Sequence, residues 1–199
     1  MPSILSEFMI LPYIIYSLSV LTWIIVPFRQ YKKRFFIFFL IYGVMDPIAL
    51  ITLLLLHLNT FRIFIPLVVL SIFSLFEIKT IKNNIFLVII TMVSSLMLSC
   101  FGNVKLLRIC LMLLDLVTFI LFLKYALIEF YKEDHINLFY FMLCVYEISL
   151  VLKFMLYIIN IKTGVIFLYL TLLFEAFIGI YFIIYNEITS PKIKLKIGL

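Results

Sequence analysis

The sequence feature that most constrains the fold is an apolar stretch over residues 35–58, which contains one acidic residue, Asp46, near its middle. As a helix rising about 1.5 Å per residue, this stretch is roughly 36 Å long, enough to cross a hydrocarbon core of about 30 Å. Pro47 follows directly and lacks the N–H that would bond to the carbonyl of Gly43. We therefore predict a kinked membrane-crossing helix. An ionisable group near the bilayer midplane, such as Asp46, is costly and is a candidate functional site.

The composition indicates that lipid surrounds most of the chain and not only the stretch over residues 35–58. Of its 199 residues, 66% are hydrophobic and 13% are charged, whereas roughly 25% are charged in ordinary soluble domains. A soluble fold of this length could not bury so much apolar surface, so lipid is the expected partner of its outer faces. The net charge of +6 does not indicate nucleic-acid binding, because the basic residues cluster at the ends of apolar stretches.

The sequence contains seven apolar stretches in all, separated by loops of no more than about ten residues. This pattern predicts an all-α fold, a single heptahelical membrane domain over residues 1–199 with no separate soluble domain. The abundance of Phe, Ile, Leu and Tyr is expected from lipid-facing helix surfaces. The predicted membrane helices cover residues 8–28, 35–58, 63–81, 85–101, 106–127, 138–159 and 165–188.

The basic residues predict the orientation. Seven crossings place the two termini on opposite sides, and eleven of the sixteen Lys and Arg residues then fall on one side. The positive-inside rule assigns that side to the cytoplasm, so the N-terminus is predicted outside and the C-terminus inside. The expected compartment is the cytoplasmic (inner) membrane of a bacterium. The five basic residues of the outer side are Arg62, Lys105, Arg108, Lys153 and Lys162.

Four predicted helices carry one acid each at nearly the same depth, about ten residues from either end of the helix. These acids are Asp46, Asp115, Glu147 and Glu175. No Lys or Arg is expected at that depth, because Lys153 lies near a helix end and its long side chain can reach the interface. The pattern predicts an intramembrane site for protons or for a cationic or polar solute.

Residues on the same helix faces extend this candidate site. Tyr42 and Gly43 precede Asp46 by four and three residues, and residues at those spacings share a helix face. Hydroxyl groups there can hydrogen-bond the acids, and a glycine allows another helix to approach. The same spacing adds Thr118, three residues after Asp115, and Thr171, four residues before Glu175.

A second interpretation of the four acids remains open. Burial disfavours the charged form, so the carboxyl groups can stay protonated and act only as hydrogen-bonding groups between helices. The sequence does not decide whether they titrate. Four acids at one depth without counter-charges nevertheless favour a proton or cation site for at least two of them.

Enzymatic function, cofactors and metals are not indicated. The two histidines lie at ends of predicted helices on opposite sides, and no HExxH, GxSxG or GxGxxG motif occurs. Three cysteines without CxxC spacing predict neither a disulfide framework nor a zinc site. The last helix also lacks the central lysine that a retinal protein needs.

Two functional hypotheses follow from these patterns. The first is a small transport or conduction protein whose midplane carboxyls handle protons or a cationic or polar solute. The alternative is a heptahelical sensory or partner subunit that acts through a separate cytoplasmic or membrane protein, or as a homo-oligomer. Its candidate docking surfaces are the polar loop 129–137 and the basic loop that contains Arg29, Lys32, Lys33 and Arg34.

Overall fold

The computed structural model describes residues 2–57, 59–159 and 165–194, with side chains from residue 14 onward except 58 and 160–169. The fold is all-α and 83% helical, and the two strands among the described residues, β1 and β2, have only three residues each. The elements in chain order are α1 Pro2–Arg29, α2 Phe36–Leu56, α3 Phe61–Ser74, α4 Ile78–Asn83, α5 Ile85–Phe101, α6 Val104–Glu133, β1 His135–Asn137, α7 Leu138–Ile159, α8 Val165–Ile184 and β2 Lys192–Lys194.

Three of the described helices, α2, α6 and α7, are long and apolar enough to cross a membrane. The described parts of α1, α3, α5 and α8 are shorter apolar helices. Large apolar side chains are exposed along these helices, as at Leu54, Leu55, Ile120 and Phe177. A surface of this kind is favourable in lipid and unfavourable in water, so the fold indicates membrane association.

The third predicted helix, 63–81, differs from the structure. α3 ends at Ser74, and the short helix α4 begins at Ile78 after a break in which Glu77 is extended. The hydroxyl of Tyr125 donates a 2.8 Å hydrogen bond to the carbonyl of Leu75. A hydrogen bond from a distant residue satisfies this terminal carbonyl, so the helix can end there without leaving it unpaired.

Glycines lie at two of the contacts between helices. α1 packs against α2 and α8, α3 packs against α2, α5 and α6, and α6 packs against α7. A Cβ atom at Gly43 would lie 2.6 Å from the carbonyl oxygen of Trp23, and one at Gly179 would lie 2.6 Å from Cγ2 of Thr22. Larger residues at these two positions would therefore push α2 or α8 away from α1.

An aromatic cluster fills the core on one side of the bundle, whereas the composition predicts that such residues face lipid. Its phenylalanines are at most 1% exposed, and their rings meet mainly edge-to-face or tilted, as aromatic pairs prefer. We call this cluster the aromatic plug; it consists of Phe35, Phe38, Phe39, Phe122, Phe139 and Phe182.

The end of the bundle that carries Arg29 and Arg34 is called the basic end. There α6 continues to Glu133, beyond the predicted end at residue 127, and the chain turns at Asp134, which is left-handed with φ 55°. The polar loop 129–137 is thus largely ordered as helix and strand, because β1 pairs with β2 of the C-terminal segment in antiparallel register. Lys192 of β2 donates a hydrogen bond to Glu133.

Candidate functional site

A cavity of about 260 Å³ lies among helices α1, α2, α3, α6, α7 and α8. Three acids and one lysine line it: Asp46, Asp115, Glu175 and Lys153. Thr60, just before α3, also lines the cavity, which therefore reaches toward the end of the bundle opposite the basic end. The aromatic plug lies on its other side, toward the basic end.

Lys153 forms an ion pair inside this cavity. Its Nζ lies 2.7 Å from Oε1 of Glu175, and the two side chains are only 21% and 11% exposed. The prediction that this lysine reaches the membrane interface is therefore wrong, as is the prediction that the midplane acids have no counter-charge. The physical reason is that Glu175 on α8 places a carboxylate within ion-pair distance of the ammonium group. A buried charge needs such a partner.

Asp46 and Asp115 line the cavity without such a partner. Among the described side chains, neither has a Lys, Arg or His within ion-pair distance. Asp115 is 1% exposed, and its Oδ2 atom has no hydrogen-bond partner there. The cavity lining therefore has three carboxyl groups and one ammonium group, and it would have an excess of negative charge if all four were ionised.

Glu147 does not line the cavity but lies behind its wall. It is fully buried, and neither carboxyl oxygen has a hydrogen-bond partner among the described residues. The Tyr42 hydroxyl lies near this carboxyl and near Ser71 without meeting hydrogen-bond geometry with either. Asp115 is close enough to interact electrostatically with Glu147. Buried polar atoms without partners are rare, so this cluster of two carboxyls and a hydroxyl is a candidate proton site.

The other residues of the predicted site have mixed positions. Gly43 contacts Trp23 of α1, as a close helix approach requires. Thr118 is buried, but its hydroxyl donates a 3.0 Å hydrogen bond to the Leu114 carbonyl of its own helix. Thr171 is half-buried on α8, one turn before Glu175.

Aromatic rings form much of the remaining cavity lining. The ring centroids of Trp23 and Tyr146 are 4.5 Å apart, and that of Tyr42 lies 5.7 Å from Tyr146. All three residues line the cavity. The indole N–H of Trp23 donates a 3.2 Å hydrogen bond to the backbone carbonyl of Glu175, which fixes the ring beside the acids.

A second aromatic group lies at the far end of the cavity from the plug, where Phe61 and Tyr157 belong to the lining. The guanidinium of Arg108 lies over both rings, 5.1 Å from the centroid of Phe61 and 5.6 Å from that of Tyr157. It also donates a 3.3 Å hydrogen bond to the carbonyl of Tyr157. Arg108 is thus held by aromatic faces and a carbonyl.

The predicted docking cluster is partly engaged within the protein itself. Arg29 donates a 3.3 Å hydrogen bond to the carbonyl of Ile184, and the guanidinium of Arg34 lies 4.3 Å from the Tyr125 ring centroid. Lys32 extends over the ring of Tyr31 at 5.5 Å. Lys33 is half-buried in the same turn.

Sequence reasoning missed the lysine and the aromatic lining of the cavity. A signal for the lysine exists in the spacing: Lys153 and Glu175 lie on either side of the 160–164 segment that joins α7 and α8. If two helices run antiparallel, their separations from that segment place the two residues within about two turns of each other. Trp23, Tyr146 and Phe61 give no such signal, because nearly every face of these helices is apolar.

The fold and its apolar surfaces define a helical, membrane-associated protein with an acid-rich cavity. Comparison of the chain with protein-family models, with curated proteins and with solved structures gives no match. Function is therefore inferred from the cavity, its charges and its aromatic lining.

Proposed function

We propose that the protein is a small integral membrane transport or conduction protein that uses its midplane carboxyls for protons or for a cationic or polar solute. The observation that carries this proposal is the cavity lined by Asp46 and Asp115, two acids without an ion-pair partner among the described residues. Acids are retained in apolar helices at a free-energy cost, and ion or proton pathways are the usual reason.

The position of Asp115 supports a link between solute and proton. This residue lines the cavity and also interacts with the buried Glu147. Like charges in a dry site repel, so a cation that enters the cavity and stabilises ionised Asp115 would favour release of a proton from the pair. Solute binding and proton binding would then compete at one carboxyl.

The aromatic plug suggests where the pathway is closed. It lies between the cavity and the basic end, and its phenylalanines are buried. In the proposed topology, with seven crossings, the cavity faces the outside and the plug faces the cytoplasm of a bacterial cell. Transport to the cytoplasm would require these rings to move apart, whereas exchange with the outside would not.

The proposed topology has a direct test. A reporter that is active only in the cytoplasm should work when fused after Leu199, because eleven of the sixteen basic residues lie on that side of the seven predicted helices. A reporter that requires export should fail at the same position. Export of the C-terminal reporter would reverse the orientation and place the cavity on the cytoplasmic side.

The transport proposal is tested with purified protein in liposomes that contain a pH-sensitive dye. An imposed membrane potential should drive proton movement faster than in empty liposomes prepared in parallel. Glu77→Gln provides the matched control, because Glu77 is exposed, lies outside the cavity and should not affect the rate. If neither a proton gradient nor a cation gradient is dissipated by the wild-type protein, the proposal is wrong.

One observation favours the alternative, a sensory or partner subunit. β1 and β2 join the polar loop to the C-terminal segment and form an ordered surface at the basic end. A protein purified from its native membrane should then carry a stoichiometric partner, which Lys32→Gln with Lys33→Gln should release. Purification of the chain alone, with transport intact, would rule out this alternative.

A further inference from the structure

We infer that the cavity binds a small organic ammonium ion of about the size of choline. This inference rests on the proposed function, since it names the solute class for the same cavity. Three features carry it: the excess of carboxyl groups, the aromatic lining and the cavity size.

The charges of the cavity favour a monovalent cation over an anion or a zwitterion. Lys153 is already paired with Glu175 at 2.7 Å, so its ammonium group is not free to hold the carboxylate of an amino acid. Asp46 and Asp115 remain as acceptors for a positive group. A cation beside either carboxylate would be stabilised by it, and the existing ion pair would stay intact.

The aromatic lining distinguishes an organic cation from an inorganic one. Trp23, Tyr42 and Tyr146 stand together beside the acids, with centroids 4.5–6.2 Å apart. Aromatic faces attract ammonium groups, and recognition of quaternary ammonium ligands by aromatic cages follows this chemistry. The protein already contains such a contact at the far end of the cavity, where the Arg108 guanidinium lies over Phe61.

Metal cations fit the cavity poorly. Hard cations such as Ca²⁺ take six to eight oxygen ligands, and the described residues contain no group of three or more His, Cys, Asp or Glu side chains placed to hold a metal. The volume of about 260 Å³ instead exceeds that of a single ion and corresponds to roughly nine waters at about 30 Å³ each.

The test compares choline with 3,3-dimethylbutanol, a neutral compound in which carbon replaces the charged nitrogen. Binding to the purified protein in detergent is measured by titration calorimetry and by fluorescence of Trp23, the single tryptophan of the chain. Choline should bind saturably, and the neutral compound should bind at least about 10-fold more weakly. Sodium chloride at the same concentration should give no saturable signal.

Two substitutions separate the aromatic from the acidic contribution. Tyr146→Leu and Asp46→Asn should each weaken choline binding by about 10-fold, whereas Phe177→Leu should not, because Phe177 is 68% exposed on the outer face of α8. Size-exclusion profiles identify any variant that fails to fold, and Phe61→Leu then replaces Tyr146→Leu.

The result also separates this inference from the proposal on which it rests. Proton movement in liposomes without choline binding would overturn the ammonium ligand and leave transport standing. Equal binding of choline and its neutral analogue would likewise overturn it. Choline binding without any ion movement would support the ligand but contradict transport.

Discussion

Lys153→Met is expected to lower the free energy of unfolding by up to about 3–5 kcal/mol, the cost of breaking a buried ion pair by removing one partner. The substitution leaves Glu175, whose side chain is 11% exposed, without its counter-charge at 2.7 Å. Methionine keeps much of the length of lysine, so the loss reflects charge rather than a large cavity. Reversible unfolding in detergent with increasing denaturant measures the change.

A second variant and a control give this result its meaning. Lys153→Met combined with Glu175→Leu should recover much of the stability, because apolar replacements of buried pairs are often neutral or stabilising. Lys192→Met should change stability little, since Lys192 pairs with Glu133 at the exposed surface, where ion pairs contribute little. A Lys153→Met variant as stable as wild type would indicate that the lysine reaches the interface after all.

The hydropathy of the chain predicts its helices better than their contacts. The helices predicted over 85–101 and 138–159 have the same bounds in the structure. The break after Ser74 was not predictable, because it depends on a hydrogen bond from Tyr125, fifty residues away. The pairing of β1 with β2 is equally non-local.

The sequence predicts which acids lie near one level, but it does not predict which residues surround them. Sequence spacing predicts that Asp46, Asp115 and Glu175 lie near one level, and the structure places all three on one cavity. In a soluble helix, the apolar face would also show which side is inward. In these helices both sides are apolar, so the pattern could not show that Glu147 lies behind the wall or that Lys153 points inward.

The phenylalanines illustrate the same limit. Phe39 and Phe182 are buried with ring centroids 4.9 Å apart, whereas Phe177, five residues earlier on α8, is 68% exposed. Lipid tails and aromatic cores both accept a phenyl ring. Only the three-dimensional arrangement distinguishes a lipid-facing phenylalanine from one in the aromatic plug beside the cavity.

The prediction with the largest functional effect concerns the two unpaired acids. Asp46→Asn and Asp115→Asn should each reduce proton or cation movement in liposomes to the rate of empty liposomes. Asparagine keeps the size and hydrogen-bonding capacity of aspartate but does not titrate, so it removes the charge while preserving contacts. Both variants should insert and remain folded, and their free energy of unfolding should fall by no more than about 2 kcal/mol.

Comparison among the four acids makes this test decisive. Glu175→Gln is a poor test of proton chemistry, because it also leaves Lys153 unpaired and so lowers stability. Glu147→Gln is informative, since Glu147 touches no described cation and does not line the cavity. Loss of movement in Asp115→Asn and Glu147→Gln together would indicate that the proton passes through the buried pair. Wild-type rates in all the amide variants would show that these carboxyls only hydrogen-bond, and the partner-subunit alternative would then explain the protein better.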